Sequence, residues 1–398
     1  MAQKFDVVIN GGAITGSVLA LALSSFSSHQ MQIAIIEKSP PNFAEQGGFD
    51  ARSIALAYGT LQKFRKILPL ARGNLLEKIE PISTPIEQIH VSDQGHFGKT
   101  TLSAAEMKLP YLGRVVELAK IGQELTACLA KQLNISLFCP NTIQQIERTP
   151  QICQLTLQDG TRLETPLLVC SDGIQSQIAK QCGVETRLLK DYQQSAIIAN
   201  VKISEPHHQQ AFERFTSQGP LALLPLADQT MSLVWCVKQA EDLLTLSETD
   251  FLAKLQQQFG WKLGKFERAS QRFAYPLTSQ KAEAHIHHRL AIVGNAAQLL
   301  HPVAGQGFNL GMRDLFALAQ QVATAFQAGN DLGDYTLLSE FERHRKADQD
   351  RIIRSTSGLI SLFGCEFLPV QALRNLGLLT LTHHTPTRKW LANQALGW

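Results

Sequence analysis

No run of apolar residues in this 398-residue chain approaches the length that crosses a bilayer, so a spanning helix is not expected. Charge is sparse too: Asp, Glu, Lys and Arg make up 18% of residues, the formal net charge is +3, and the Lys and Arg are scattered. That balance excludes a nucleic-acid partner. The seven cysteines are odd in number and show no Cys-x-x-Cys spacing. They read as reduced core thiols, which excludes a disulfide framework. His90 and His96 flank a hairpin signal without a carboxylate or cysteine at ligand spacing, so no metal is assigned. The apolar N-terminal segment is broken by Gly11, Gly12 and Gly16, unlike a signal peptide, and a soluble cytoplasmic protein is expected. What remains is 44% hydrophobic residues, over a length that suits two domains or one domain with large insertions.

The rest of the chain is organised around residues 290–314. An apolar strand at 290–293 crosses a loop containing Asn295, His301, Pro302, Gly305, Gln306, Gly307, Phe308 and Asn309, then becomes a helix through Leu315, Leu318 and Val322. Such a unit aims backbone N–H groups and the positive end of a helix dipole at whatever occupies the loop, which suits an electron-rich ring or an oxyanion. A plain tight connection is the alternative, and a second nucleotide signal decides between them. Residues 5–9 supply that signal as a short strand, followed by the Gly11-Gly12-Ala13-x-x-Gly16 turn, an Ala/Leu helix, and a strand over 31–37 ending in Glu37 and Lys38. The carboxylate falls about 20 residues past the turn, where a dinucleotide-binding βαβ unit places it on the ribose. Ala13 stands where that fingerprint has glycine, and its methyl is tolerable only at negative φ.

A glycine-marked loop at 47–52 reads as entering a helix, with Asp50 either an N-cap or a ligand group and Arg52 one turn in, in reach of a pyrophosphate or a second dinucleotide. Residues 115–129 read as a helix. The strand at 167–170 followed by Asp172-Gly173 repeats the design of a ligand turn at a strand's C-terminal end. Residues 192–238 change to β-type segments carrying Phe215, Leu221, Leu223 and Trp235. Either an antiparallel sheet roofs a substrate cavity with these side chains, or they are simple core packing. Beyond Tyr335 the chain reads as apolar helices that dock on the body or face a partner or bilayer.

These residues carry a resemblance. Gly11-x-Ala13-x-x-Gly16 with Glu37, Asp50-x-Arg52, Asp172-Gly173, Gly294-Asn295-Ala296 and His301-Pro-x-x-Gly-Gln-Gly-x-Asn-x-Gly-x-x-Asp314 resemble the flavoprotein aromatic hydroxylases of the p-hydroxybenzoate hydroxylase fold. Nearly end to end the likeness is to their ubiquinone-biosynthesis branch. The runs at 49–56, 90–95, 211–216, 219–225, 232–236 and 259–264 resemble the members acting on 2-polyprenyl-6-methoxyphenol. Asn295 for the usual Asp and Gln298 for a frequent His are departures.

The resemblance implies an α/β fold: a Rossmann-like FAD-binding domain (1–80, 112–184, 285–330), an inserted antiparallel-sheet substrate domain (81–111, 185–284) and a helical C-terminal region (331–398). It implies FAD with adenosine at Glu37 and Lys38, pyrophosphate at the Gly11–Gly16 turn and Arg52, ribityl near Asp172, Gly173 and Asn295, and the flavin ring on residues 302–309. His301, Pro302, Gly305 and Gln306 form the catalytic loop, with no general base assigned. NAD(P)H is implied as transient reductant, O₂ as co-substrate, a polyprenyl phenol as substrate, other ubiquinone-biosynthesis proteins as partners, and a peripheral contact with the inner membrane. A flavin dehydrogenase would need a second nucleotide fingerprint and often a redox Cys-x-x-Cys, neither of which is present. Another ring hydroxylase of the pathway, or a flavin-binding scaffold, stays open.

Overall fold

The computed structural model describes residues 1–40, 52–69, 73–365 and 367–397. The chain begins with β1 (Val7–Asn10), α1 (Ile14–Phe26), β2 (Ile33–Ile36) and β3 (Ser53–Ala57). The hairpin β4 (Gln88–Asp93) and β5 (Lys99–Ser103) follows, then β6 (Gly113–Glu117), α2 (Leu118–Leu129), β7 (Ile135–Phe138) and β8 (Leu167–Cys170). Next come β9 (Thr186–Ile203), β10 (Gln210–Phe215), β11 (Pro220–Pro225), β12 (Thr230–Val237), α3 (Glu248–Phe259), β13 (Phe273–Ala282) and β14 (Leu290–Ile292). Four helices close the chain: α4 (Gln306–Gln327), α5 (Tyr335–Phe363), α6 (Leu368–His383) and α7 (Thr385–Ala395).

Strands without polar alternation are buried on both faces. Val-Val-Ile-Asn, Ile-Ala-Ile-Ile and Leu-Leu-Val-Cys obey this at every position and form a parallel sheet in the order β14-β8-β1-β2-β7. α1 lies against this sheet and packs on α4. A Cβ at Gly16 would overlap the Gly11 carbonyl oxygen, so glycine there lets α1 start in contact with the turn that precedes it. The second sheet runs β13-β9-β12-β11-β10-β4-β5, antiparallel except where β10 meets β4. The architecture is a Rossmann-like fold with an inserted antiparallel sheet and a helical C-terminal region.

Two local expectations are corrected. The segment after Arg52 is a strand, because Ser53–Ala57 pairs antiparallel with Gly113–Glu117, and the helix waits until Tyr58. That ladder also takes Val115, Val116 and Glu117 out of the expected helix, which begins at Leu118. β-branched residues in both segments suit the ladder better than a helix. Beyond these two, the helix after the loop starts at Gln306, so the last four residues expected in the loop, Gln306 to Asn309, are its first turn. Asp50 lies outside the described residues.

A buried polar cluster pins α4. Asp314 accepts from Arg345 Nε at 2.6 Å and from the side-chain amides of Gln298 and Gln349 at 3.0 Å each, tying α4 to α5 and to the loop before it. Burial pushes the Asp314 carboxyl up, and Arg345 opposes that push. Arg313 donates to Asp348 at 2.9 Å. The Asp348 carboxyl is held below its usual range although burial acts the other way, because Arg313 and Arg345 outweigh it.

α5 runs from this core to the antiparallel sheet, where Phe363 stacks on Phe215 with centroids 3.6 Å apart. α6 then lies against β5, not on the parallel sheet. Arg374 donates to both oxygens of Asp93 at 2.8 and 3.2 Å and to the carbonyls of Phe363 and Cys365, while Asn375 binds Asp93 and the Gly98 N–H. The tail therefore packs on the body at one face.

Replacing Asp314 with Ala takes the shared acceptor from the buried amides of Gln298 and Gln349 and leaves Arg345 with Asp348 as its partner. The expected loss is about 2–4 kcal/mol of unfolding free energy, read by denaturant melts. A loss well below that range would show that α4 is held by packing alone.

Candidate functional site

Two helices begin at one cavity without a side chain to cap them. α1 has Ala13 as its N-cap and α4 has Gly305, in the left-handed conformation at φ +59°, and neither provides a side-chain cap. The first-turn N–H groups of a helix have no acceptor within it, and they carry the positive end of its dipole. Both first turns line a cavity of about 2000 Å³, through Ala13, Ile14 and Thr15 on α1 and Gln306, Gly307 and Phe308 on α4. Ala13 adopts φ −64°, so its methyl occupies ordinary extended backbone and the departure from glycine carries no strain.

Glu37 closes the turn between β1 and α1. Its Oε2 accepts from the Gly12 N–H at 2.6 Å and its Oε1 from the Ser39 N–H at 3.2 Å. A carboxylate has about four acceptor positions, so roughly two remain for hydroxyls in the cavity. Gly11, Lys38, Asp172, Gly173 and Asn295 also line it. Gly12 and Gly16 shape the turn without lining the space, and Arg52 stands just outside while its neighbour Ser53 lines it. Uncapped helix ends, a carboxylate one strand away and an open floor over glycines fit an elongated anionic nucleotide that carries a flat ring.

The loop at 302–309 forms the cavity floor through Pro302, Gly305, Gln306, Gly307, Phe308 and Asn309. A Cβ at Gly307 would meet only the Leu300 Cβ at 3.6 Å, so the space above it is open. Asn309 is a staple within the protein. Its Oδ1 accepts from the Ala57 N–H and the Thr60 hydroxyl, and its Nδ2 donates to the Ala55 and Gly305 carbonyls, all at 2.8 Å. The side chain fixes the loop against β3 with nothing left over for a ligand.

His301 belongs to the segment leading into the loop, with its ring turned toward Tyr192. It does not line the cavity; it is buried edge-on against Tyr192 at 4.8 Å, and its Nδ1 accepts from the Val303 N–H at 3.2 Å. Burial, helped by Lys190, lowers its pKa to about 4, so the ring is neutral and fills space.

Leu221, Leu223 and Trp235 are corrected as well. Side chains alternate across a pleated sheet, and the registers Leu221↔Trp235 and Leu223↔Leu233 put these residues on the face that packs against Phe251, Leu255 and Phe259 of and beside α3. The residues between them, Ala222, Leu224 and Val234, face the cavity with Ile89, Val91 and Leu102. Of the four expected sheet residues, Phe215 alone lines it. Sequence reasoning missed two further walls: β3 through Ile54 to Ala57, and the ends of α5, α6 and α7. Both come together only through long-range pairing, and alternation in the β segments was the one signal that could have sorted the two faces.

The described site can be set beside known proteins. A family model described as FAD binding domain matches residues 141–356. The chain is 32% identical to the ubiquinone hydroxylase UbiL of Rhodospirillum rubrum, over 98% of this chain and 89% of that one. It is 28% identical to the 3-demethoxyubiquinol 3-hydroxylase of Escherichia coli, over 99% of each. Among solved structures, p-nitrophenol 4-monooxygenase PnpA from Pseudomonas putida superposes with a TM-score of 0.81 at 15% identity, covering 100% of this chain and 99% of that one, a likeness of fold.

His90, His285 and His301 all have pKa values lowered to about 4, by burial first. A folded pKa below the unfolded value means the unfolded chain binds more protons in between, so stability falls as pH drops from about 6.5 toward 4. Chemical-denaturation midpoints at about pH 7 and pH 5 should show this fall, and His301→Gln should make it shallower. An unchanged pH slope in His301→Gln would show that this histidine protonates freely in the folded state.

Proposed function

The chain belongs to the FAD-binding monooxygenases of the ubiquinone-biosynthesis hydroxylase family, and we propose that it hydroxylates the ring of a polyprenylated phenol, 2-polyprenyl-6-methoxyphenol, using NAD(P)H and O₂. One observation carries the reading. A single cavity joins the Gly11–Glu37 turn, the uncapped start of α4 and an apolar sheet face, so a nucleotide-bound ring and a greasy phenol share one enclosure.

Bound FAD supplies the electron transfer and oxygen activation. The protein's part is to hold, orient and keep dry. Glu37 would hold the adenosine, the Gly11–Gly16 turn the pyrophosphate, Asp172 and Asn295 the ribityl chain, and Pro302 to Phe308 the ring. The dipole of α4 then favours negative charge on the nearest ring edge. Asn309 and Asp314 act at one remove, fixing the loop and the helix. Ile89, Val91, Ala222, Leu224 and Val234 make the sheet wall mainly apolar, which limits water at the reacting face, and Glu213 and Thr100 are the polar residues among them. A second reading, another ring position in the same pathway, is favoured by the name of the Escherichia coli relative.

The test is product analysis. Supplied with NAD(P)H, O₂ and a short-chain 2-prenyl-6-methoxyphenol, the purified protein should yield the 1,4-hydroquinone. Turnover of a 3-demethoxyubiquinol analogue instead would select the second reading, and flavin oxidation without ring product from either would leave only a flavin-binding scaffold.

Two variants probe the cradle. Glu37→Lys removes an acceptor and adds a like charge beside the Gly12 N–H, and FAD affinity should fall by about 1–3 kcal/mol in titration. Gly307→Val has room to fold but puts branched carbon into the cavity, so the melting temperature should hold while hydroxylation is lost. Full activity in Gly307→Val would take the loop out of the site.

A further inference from the structure

The cavity is exposed at two ends, one at the nucleotide turn, where Ala13, Lys38, Ser39, Asp172 and Asn295 are polar or small, and one at the C-terminal helices, where the wall is apolar. Leu359, Leu362, Leu373, Trp390 and Leu391 line the cavity and are also exposed to solvent, Leu373 at 67% and Trp390 at 63%. They come from α5, α6 and α7, so this mouth of the cavity is rimmed by large apolar side chains. Phe367, Leu368 and Leu376 extend this surface beyond the rim, with Leu368 at 75% and Leu376 at 55% exposure. An entrance for a water-soluble substrate has no use for such a rim. An apolar patch at a mouth marks a surface that something covers.

Charge narrows the cover. Residues 367–397 contain no Asp or Glu, while Lys389 is exposed beside Trp390, and His383 and His384 are exposed at the α6–α7 corner. Apolar groups with a Trp–Lys pair and no acid suit an anionic headgroup layer. Among the described residues no single helix is long and apolar enough to cross a bilayer, and α5 and α6 reach that length and composition only as a pair bent by 118°. The Arg374–Asp93 pair holds α6 in place on the sheet, which makes the rim a built feature of the fold.

We propose that this mouth opens onto an anionic lipid bilayer and that the substrate's polyprenyl chain enters sideways from the lipid between α5, α6 and α7. The proposal rests on the substrate reading above. A protein docked on the same rim would plug the passage that a long chain needs, whereas a fluid bilayer covers the rim and delivers the substrate together.

The test uses the full-length FAD-loaded protein and vesicles of phosphatidylglycerol and phosphatidylethanolamine. Wild type should sediment with the vesicles. A Leu368→Glu, Leu376→Glu double variant, altered outside the cavity lining, should partition about tenfold less, with a similar drop in turnover of long-chain substrate embedded in the vesicles. Its FAD content and its turnover of a short-chain phenol in solution should match wild type. The single variant Leu368→Ser, at the more exposed position, should show a smaller loss in the same direction, and Leu133→Glu, on an exposed residue of the α2–β7 turn, should show none. Wild type staying in the supernatant, vesicle binding that needs an added protein, or a double variant that sediments like wild type would overturn the proposal. Wild type that binds vesicles but hydroxylates no phenol, short or long, overturns the substrate reading and with it the sideways entry, while the docking surface stands.

Discussion

The placement of one helix end governs the rest of the site. The first turn of α4 must sit under the cavity with its N–H groups uncovered, and a helix so placed cannot be fixed by a capping side chain at that end. The structure fixes it from behind. Asp314, two turns in, is bound by Arg345, Gln298 and Gln349, and Asn309, one turn in, staples the loop to β3 through Ala55 and Ala57, with Thr60 and Gly305 completing its four hydrogen bonds. Each group is buried and needs its partners, because an unpaired buried polar group costs far more than a paired one contributes. The cluster therefore specifies one position for α4, whatever its net stabilisation.

The antiparallel sheet answers a different constraint, since its two faces serve two purposes. One face carries Leu221, Leu223, Leu233 and Trp235 into a core with α3. The other carries Ala222, Leu224 and Val234 toward the cavity. The face that packs against α3 carries the larger residues. The cavity face carries smaller apolar ones, Ala222 opposite Val234, with Glu213 beside them, which is how the sheet leaves a void.

This division explains what was legible in the chain. The βαβ turn, Glu37 and the 302–309 loop could be read because each depends on neighbours in sequence: a glycine pattern, a strand end, a helix start. The question left at Ala13 was local too, and a φ of −64° answers it. The errors fall where long-range pairing decides. Ser53–Ala57 is a strand only because Gly113–Glu117 lies beside it. Leu221 and Trp235 drew attention by bulk, although bulk marks the packed face, and His301 sits in the right loop with its ring turned toward Tyr192. A sequence motif assigns a residue to a segment, and only the fold assigns its side chain to a face.

The C-terminal helices tie these two constraints together. α5 begins at its Asp334 cap, passes Arg345, Asp348 and Gln349 against α4, and ends with Phe363 stacked on Phe215 of the cavity wall. One rigid element thus contacts the pinned floor and the sheet roof, and sets the gap between them. α6 continues from its end and is latched to Asp93, on the cavity-facing register of β4. The tail read from sequence as either a cover for the body or an apolar outer surface is both, because a helix lying along a sheet edge has one face to pack and another to expose. Its packed face completes the cavity, and its exposed face is what the cavity opens beside.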